Sequence, residues 1–465
     1  MTKKPTSTLK LAAAMCLGIA AWGLSAPDRS AASLPNIVVI YFDDTGWTDF
    51  GCYGGNVNTP ASDQLASEGI RFTSYYAPAP NCSPSRAGLL TGRFPFRVGV
   101  YSYLAPKSVM HLPDAELTLP EILKHRGYAT ATFGKWHLSL LENPDQPNPS
   151  QQGFDYWFSC DNNLIKRNPK SLIRNGTPVP KTEGWAAQVV ADEANAWIRK
   201  QQQPFFAYIA FSETHAPHDA PKPLTSKYLA EGESRKRAVY KAMTEYTDHA
   251  VSTILDTLDE LQLTENTLVF LASDNGPTDS KSCEGLRGKK SFTWEGGIRV
   301  PAIVRWPGVT PAGTVSDAVV GGIDLLPTLC DVIGYEVSDR KIDGVSILPA
   351  LRNEAFSRPS PILTFFYRTS PAASMRLGDY VLVGHSNDEK RAKTHAISHP
   401  DMPKIKATQW VDFELYNVKQ DLGQTQDLSA VEPERFKEMR DLMIRLHREA
   451  IEEAPFWELP IPVKR

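Results

Sequence analysis

Two acidic pairs stand out first. Asp43-Asp44 and Asp274-Asn275 each directly follow a run of apolar, largely β-branched or aromatic residues. Every side chain in this set offers oxygen. Such donors suit a hard divalent cation, Ca²⁺ ahead of Mg²⁺, because a carboxylate-rich, water-poor cage favours the larger ion. A single Asp at a strand end more often caps the following turn, but two matched pairs argue for a site. Two other apolar runs end in Gly134-Lys135-Trp136-His137 and Glu213-Thr214-His215-Ala216-Pro217-His218. Lysine beside histidines suits anion binding and proton transfer, since an imidazole pKa can be set near working pH.

The stretch NCSPSRAGLLTGR, Asn81 to Arg93, adds a cysteine wedged between serine, proline and arginine. Ser83 and Pro84 read as the N-cap and first residue of a helix running to Thr91, with Gly92 ending it. Cys82 then lies where helix N–H groups favour an anion. A thiolate nucleophile would want a histidine nearby and no competing carboxylates, and a soft thiolate is a poor ligand for a hard cation. A disulfide half is a further reading. Of six cysteines, Cys16 falls in the N-terminal leader, leaving the odd set Cys52, Cys82, Cys160, Cys283 and Cys330.

These groups need elements to position them. The spacing predicts strands over 36–42, 128–133, 205–211, 267–271 and 300–305. It predicts helices over 61–69, 117–125, 185–203 and 240–261. The alternation implies an α/β domain with a largely parallel sheet, and the first strand is apolar enough to be covered on both faces. In such sheets ligands gather beyond the carboxyl ends of the strands, where all four motifs fall. Residues 143–152 read as a proline-punctuated loop. After a break near 352–361 the pattern changes to strands over 362–367 and 374–384, turning at Gly378-Asp379, then a helix over 433–452. The expected division is a leader over 1–33, a catalytic domain over 34–357 and a small C-terminal α+β domain with an antiparallel sheet over 358–465.

With 465 residues, 42% hydrophobic and 22% charged, the composition is that of a soluble globular protein. A net charge of −3 provides no general field for nucleic acid. Lys3, Lys4 and Lys10 precede a short apolar stretch and small residues, as in a cleaved secretory signal. That predicts export to a periplasmic or extracellular space without stable membrane insertion.

Taken together, Cys82-Ser83-Pro84-Ser85-Arg86 followed by Leu89-Leu90-Thr91-Gly92-Arg93 resembles the signature of the type I sulfatases. The family's second signature is matched by Gly127-Tyr128-Ala129-Thr130-Ala131-Thr132-Phe133-Gly134-Lys135-Trp136-His137. Further matches are Phe42 to Trp47, Ser273-Asp274-Asn275-Gly276, Trp294 to Pro301, and Glu414-Leu415-Tyr416-Asn417 with Asp427-Leu428. They run in order from about residue 35 to 430. Residues 100–121, with Met110-His111-Leu112-Pro113, resemble the branch containing arylsulfatase A and N-acetylgalactosamine-6-sulfatase. Asn81 and Phe133 depart from the usual residues, which puts only local packing in doubt.

The resemblance implies an alkaline-phosphatase-like large domain and hydrolysis of a sulfate ester. It implies that Cys82 is oxidised to formylglycine by a formylglycine-generating enzyme. Ca²⁺, with Mg²⁺ the lesser candidate, would be held by Asp43, Asp44, Asp274, Asn275 and the modified Cys82. Arg86 would steady the hydrated formylglycine, and Lys135 and Lys290 would grip sulfate oxygens. Lys290 rather than Lys289 has the family's spacing to Trp294-Glu295-Gly296-Gly297. His137 would take a proton from the hydrate, and His215 would protonate the leaving alcohol. A metal-acidified hydroxyl attacking sulfur, with cations on the equatorial oxygens, accounts for these residue types. His218 either contacts substrate or caps the Pro217 turn. His385, His395 and His399 are expected to be exposed, and Trp47 and Trp294 to serve packing. The substrate expected is a sulfated small molecule or oligosaccharide, a sulfated sugar before an aryl sulfate.

Two alternatives remain in view. A phosphate-ester hydrolase of the same fold would use Ser or Thr and two zinc ions held by several histidines, which the oxygen-rich set and Cys82 weigh against. A silent binding protein on this scaffold would have lost site residues, and none is missing.

Overall fold

In the computed structural model, which describes residues 34–367, 372–387, 397 and 401–458, the apolar runs form the middle of a ten-stranded sheet. The leader over 1–33 lies outside the described residues, as do His395 and His399. Strand Asn36–Phe42 pairs in parallel with Phe205–Ala210 on one side and Thr267–Ser273 on the other. Ala129–Lys135 and Tyr156–Cys160 extend the parallel run. On the other flank Ala302–Arg305 runs antiparallel to Thr267–Ser273 and Ile70–Phe72.

All of Asn36–Phe42 is buried, as its unbroken apolar run requires. Side chains alternate across the sheet, so Ile37, Val39 and Tyr41 enter one core while Val38, Ile40 and Phe42 enter the other. Helices Ala186–Ile198 and Arg235–Glu260 cover the second face, and helix Cys82–Thr91 packs on the first. Several boundaries differ from the sequence expectation. Strand Ala129–Lys135 carries Lys135 as its last residue rather than in the loop beyond. The long helix begins at Arg235, where the Ser234 hydroxyl accepts from the Arg237 amide. The site helix begins at Cys82, with Asn81 as N-cap. The Ser83 hydroxyl, expected to cap it, instead accepts from the Leu104 amide at 3.0 Å. Pro84 is tolerated because it still lies in the first turn.

The C-terminal strands form a separate antiparallel sheet in the order Ile362–Phe366, Ala372–Leu377, Tyr380–Ser386, Trp410–Asn417. Gly378, at φ +57°, sits in the expected turn. Leu363, Phe365, Met375, Leu382 and Leu415 share a core with Leu89, Leu90 and Phe96, and helix Pro433–Glu453 adds Met439 and Met443. Among the described residues no helix is long and apolar enough to cross a membrane.

Candidate active site

Three strand ends are stitched together by backbone hydrogen bonds. The Asp43 amide donates to Glu213 O (2.9 Å), the Thr214 amide to Asp43 O (2.6 Å) and the Asp274 amide to Phe42 O (3.0 Å). The expected rim is therefore a continuous ledge. Asp44 adopts φ +64°, a left-handed conformation that Asp tolerates better than most residues. The Tyr240 hydroxyl bridges Asp44 O (3.1 Å) and Asp49 Oδ2 (2.5 Å), which props that turn from below. Gly276 donates to Gly297 O at 2.9 Å, and a Cβ on Gly276 would meet Gly296 O at 2.1 Å. Only glycine permits this contact, which seats Gly296-Gly297 against the loop after Asp274-Asn275, and the Lys290 amide donates to Pro277 O in that same loop at 2.8 Å.

The side chains converge on Cys82. Its thiol lies 3.6 Å from Asp43 Oδ1, and Lys290 Nζ donates to Cys82 Sγ at 3.4 Å. Lys290 also contacts both Asp44 oxygens, at 2.6 and 2.8 Å. Lys135 Nζ donates to Asp43 Oδ2 (2.5 Å) and Asn163 Oδ1 (3.2 Å). Arg86 donates to Asp274 Oδ2 from Nε (3.1 Å) and Nη2 (2.7 Å), and from Nη1 to Lys135 O (3.1 Å). His215 Nε2 stands 3.7 Å from Asp44 Oδ2. His137 Nε2 pairs with Leu104 O at 3.1 Å, leaving the buried Nδ1 without a protein partner.

Buried charges shift one another. Burial alone would raise Asp43, but Lys135, His215, Arg86 and Lys290 hold it well below the usual carboxylate range. Burial and the Asp43 charge push Asp274 up to about 7 despite Arg86. Two neighbouring carboxylates thus titrate as a pair. Burial, then Asp43, pushes the Cys82 thiol up to about 12, so it is protonated at neutral pH and is no thiolate nucleophile. The disulfide reading fails as well: the five described cysteines, Cys82 included, are all free. Burial, with Lys135 next, holds His137 well below the ordinary imidazole value, and burial lowers His215 against Asp44 and Asp43.

The residues fit a hard cation. Asp43, Asp44, Cys82 and His215 bring donor atoms within 4.8 Å of one another. Asn275 Oδ1 is buried without a protein partner, while its Nδ2 donates to Asp44 Oδ1 at 2.7 Å. An orphaned amide oxygen beside three carboxylates is what an oxygen-seeking ion would satisfy.

Comparison with known proteins gives the family. Residues 35–335 match the sulfatase family, and 287–448 match the C-terminal region of N-sulphoglucosamine sulphohydrolase. The chain belongs to the sulfatase family. It is 37% identical over 403 residues to N-acetylgalactosamine-6-sulfatase of Canis lupus familiaris, covering 79% of this chain and 74% of that protein. Human arylsulfatase A is 35% identical over 380 residues, covering 74% of this chain and 72% of that one. The crystal structure of Ps i-CgsB in complex with k-i-k-neocarrahexaose superposes with a TM-score of 0.79 at 26% identity, covering 89% of this chain and 93% of that one. This sulfatase therefore has the alkaline-phosphatase-like fold and is a sulfuric ester hydrolase.

The sulfatase's site opens into a cavity of about 590 Å³ whose lining includes Cys82, His137, His215 and Lys290. Asn81, set aside in the sequence as a packing position, also lines it. His218 is not in the lining; its ring lies 6.1 Å from that of Tyr240. His385 is half-buried, not exposed, because it pairs with Glu414 at 3.2 Å and approaches Trp294. Trp47 and Trp294 pack, with Arg299 and Arg287 over their rings. Sequence reasoning missed Tyr208, which meets Arg86 at 3.4 Å, and Asn163 and Tyr240. Tyr208 lies inside an apolar strand run and gives no local signal.

Proposed function

We propose that this sulfatase releases inorganic sulfate from a sulfated carbohydrate, with Cys82 oxidised to formylglycine as the source of its nucleophile. One observation carries the reading: Cys82 sits at the start of a buried helix, in the cavity lining, between Asp43 and Lys290. Asp43, Asp44, Asp274, Asn275 and the modified Cys82 would hold Ca²⁺, with Mg²⁺ the poorer fit, and the ion would supply the charge that acidifies a hydroxyl of the formylglycine hydrate for attack on sulfur.

The chain's own residues take the remaining roles. Lys135 and Lys290 each have an ammonium on a ligand carboxylate, Asp43 and Asp44 respectively, and offer their remaining protons to sulfate oxygens. Arg86, pinned to Asp274, holds the helix start against the acidic ledge. His137 keeps one ring nitrogen on Leu104 O and the other free, so it can accept a proton inside the cavity. His215 is poised to donate a proton to the leaving alcohol. A sulfate ester beside it adds negative charge that favours its protonated form.

The carbohydrate assignment draws support from the relatives' names, from the sugar bound to Ps i-CgsB and from the cavity wall. Asn81 and Asn162 there each carry a buried amide oxygen without a protein partner, suited to sugar hydroxyls. His218 lies outside the cavity lining and would meet only a part of the substrate that extends beyond it. The reading includes export by the 1–33 leader to the periplasm or medium, a catalytic domain over 34–357, a C-terminal subdomain over 358–465, and maturation by a formylglycine-generating enzyme. Cys82→Ala should abolish release of sulfate from defined sulfated oligosaccharides while the thermal unfolding transition persists. Turnover equal to that of the unaltered protein would overturn the proposal.

A further inference from the structure

The cavity contains a cation that the chemistry above does not use. Lys289 lines it together with Lys290, yet the two lysines differ in their partners. Lys290 is committed to Asp44 and Cys82. Lys289 is exposed and, among the described residues, has no carboxylate partner and no side-chain hydrogen bond. The cavity lining contains no Asp or Glu that could neutralise it.

The turn bearing Lys289 is held firmly. The Lys290 amide donates to Pro277 O (2.8 Å), the Ser291 amide to Pro80 O (2.9 Å) and the Phe292 amide to Lys289 O (3.0 Å). A Cβ on Gly297 would meet Phe292 O at 1.9 Å and Lys289 O at 2.6 Å, so the following segment packs directly under the turn. A rigid backbone thus presents an unneutralised ammonium at the mouth of the cavity. Phe292 and Tyr103 line the same cavity, and Asn81, only 3% exposed, has an amide oxygen with no protein partner. An aromatic face, amide groups and a lone cation together suit an anionic sugar better than a neutral one.

We propose that Lys289 forms a subsite for a second anionic group on the substrate, a carboxylate or another sulfate. This inference rests on the sulfatase reading and deepens it from sulfated carbohydrate to polyanionic saccharide. Adjacent Cα atoms lie about 3.8 Å apart, and Lys290 already reaches the nucleophile. The second anion therefore belongs on the same sugar as the hydrolysed ester or on its neighbour. The contact is an exposed ion pair, so it tunes selectivity and weakens with salt.

The test compares kcat/KM on three saccharides: a neutral disaccharide with one sulfate, a uronate-containing disaccharide with one sulfate, and a disulfated disaccharide. The unaltered enzyme should prefer at least one dianionic substrate over the neutral one, mainly through KM. The preferred one identifies whether carboxylate or sulfate fills the subsite. Lys289→Gln should reduce that preference about fivefold, Lys289→Arg should retain it, and raised ionic strength should reduce it in the unaltered enzyme and in Lys289→Arg but not in Lys289→Gln. Equal kcat/KM on all three substrates, or a preference that Lys289→Gln leaves unchanged, overturns the subsite. Absence of any desulfation by the unaltered enzyme would instead count against the sulfatase reading itself.

Discussion

Arg86 sets both Nε and Nη2 on one oxygen of Asp274, at 3.1 and 2.7 Å, while the other oxygen of Asp274 accepts the Asp44 amide at 3.2 Å. One carboxylate thereby joins the helix that starts at Cys82 to the turn that carries Asp43 and Asp44. Arg86 and Asp274 are both fully buried, so each needs the other for its charge to be tolerated.

Arg86→Ala should cost about 3–5 kcal/mol of stability, because it strands a buried carboxylate. Arg86→Lys should retain part of that stability but lose the forked contact with Asp274 and the reach to Lys135 O. Denaturant unfolding combined with sulfate-release assays separates the two effects. Lysine is expected to fold and to remain strongly impaired.

Much of this site is legible in the sequence. Apolar runs ending in acids, lysine and histidines placed four strand ends on one rim, since a parallel sheet sends such ends to the same edge. The pairing of Arg86 with Asp274 was not legible, nor the prop that Tyr240 places under Asp44. These contacts join residues far apart in sequence, and nothing local marks them. The start of the site helix was misread because the Ser83 hydroxyl, a good N-cap by type, is claimed by the Leu104 amide. Asn81 looked incidental for a similar reason: only the folded chain turns it to the cavity.

Removal of the two lysines tests charge stabilisation directly. Lys135→Ala and Lys290→Ala should each lower kcat by about 10²–10³, the range for losing one donor to a developing anion. Binding of inorganic sulfate as a product inhibitor should weaken in parallel. Undiminished kcat in either variant would remove that lysine from the mechanism.

Chelation should lower both activity and melting temperature, because Asp43, Asp44 and Asp274 then face one another without a shared cation. Added Ca²⁺ should restore both, and more fully than Mg²⁺. At one hundred times its dissociation constant the ion should return about 2.7 kcal/mol. Thermal melts with chelator and with each cation provide the check.

His447 predicts acid sensitivity away from the site. Its ring lies among those of Phe96, Phe365 and Trp410, and burial lowers its pKa from 6.5 to about 3. The unfolded chain therefore binds a proton between pH 6.5 and 3 that the folded chain refuses. Stability from this residue is complete above that window and falls with pH through it, by at most about 1.4 kcal/mol per pH unit. His447→Phe should flatten the decline in melting temperature over this range; an unchanged slope would assign the acid sensitivity to other groups.

The most direct measurement is mass spectrometry of the peptide containing Cys82, from active enzyme made in its native host. The account predicts formylglycine at position 82, in a fraction that tracks specific activity across preparations. An intact thiol at that position throughout a fully active preparation would contradict it.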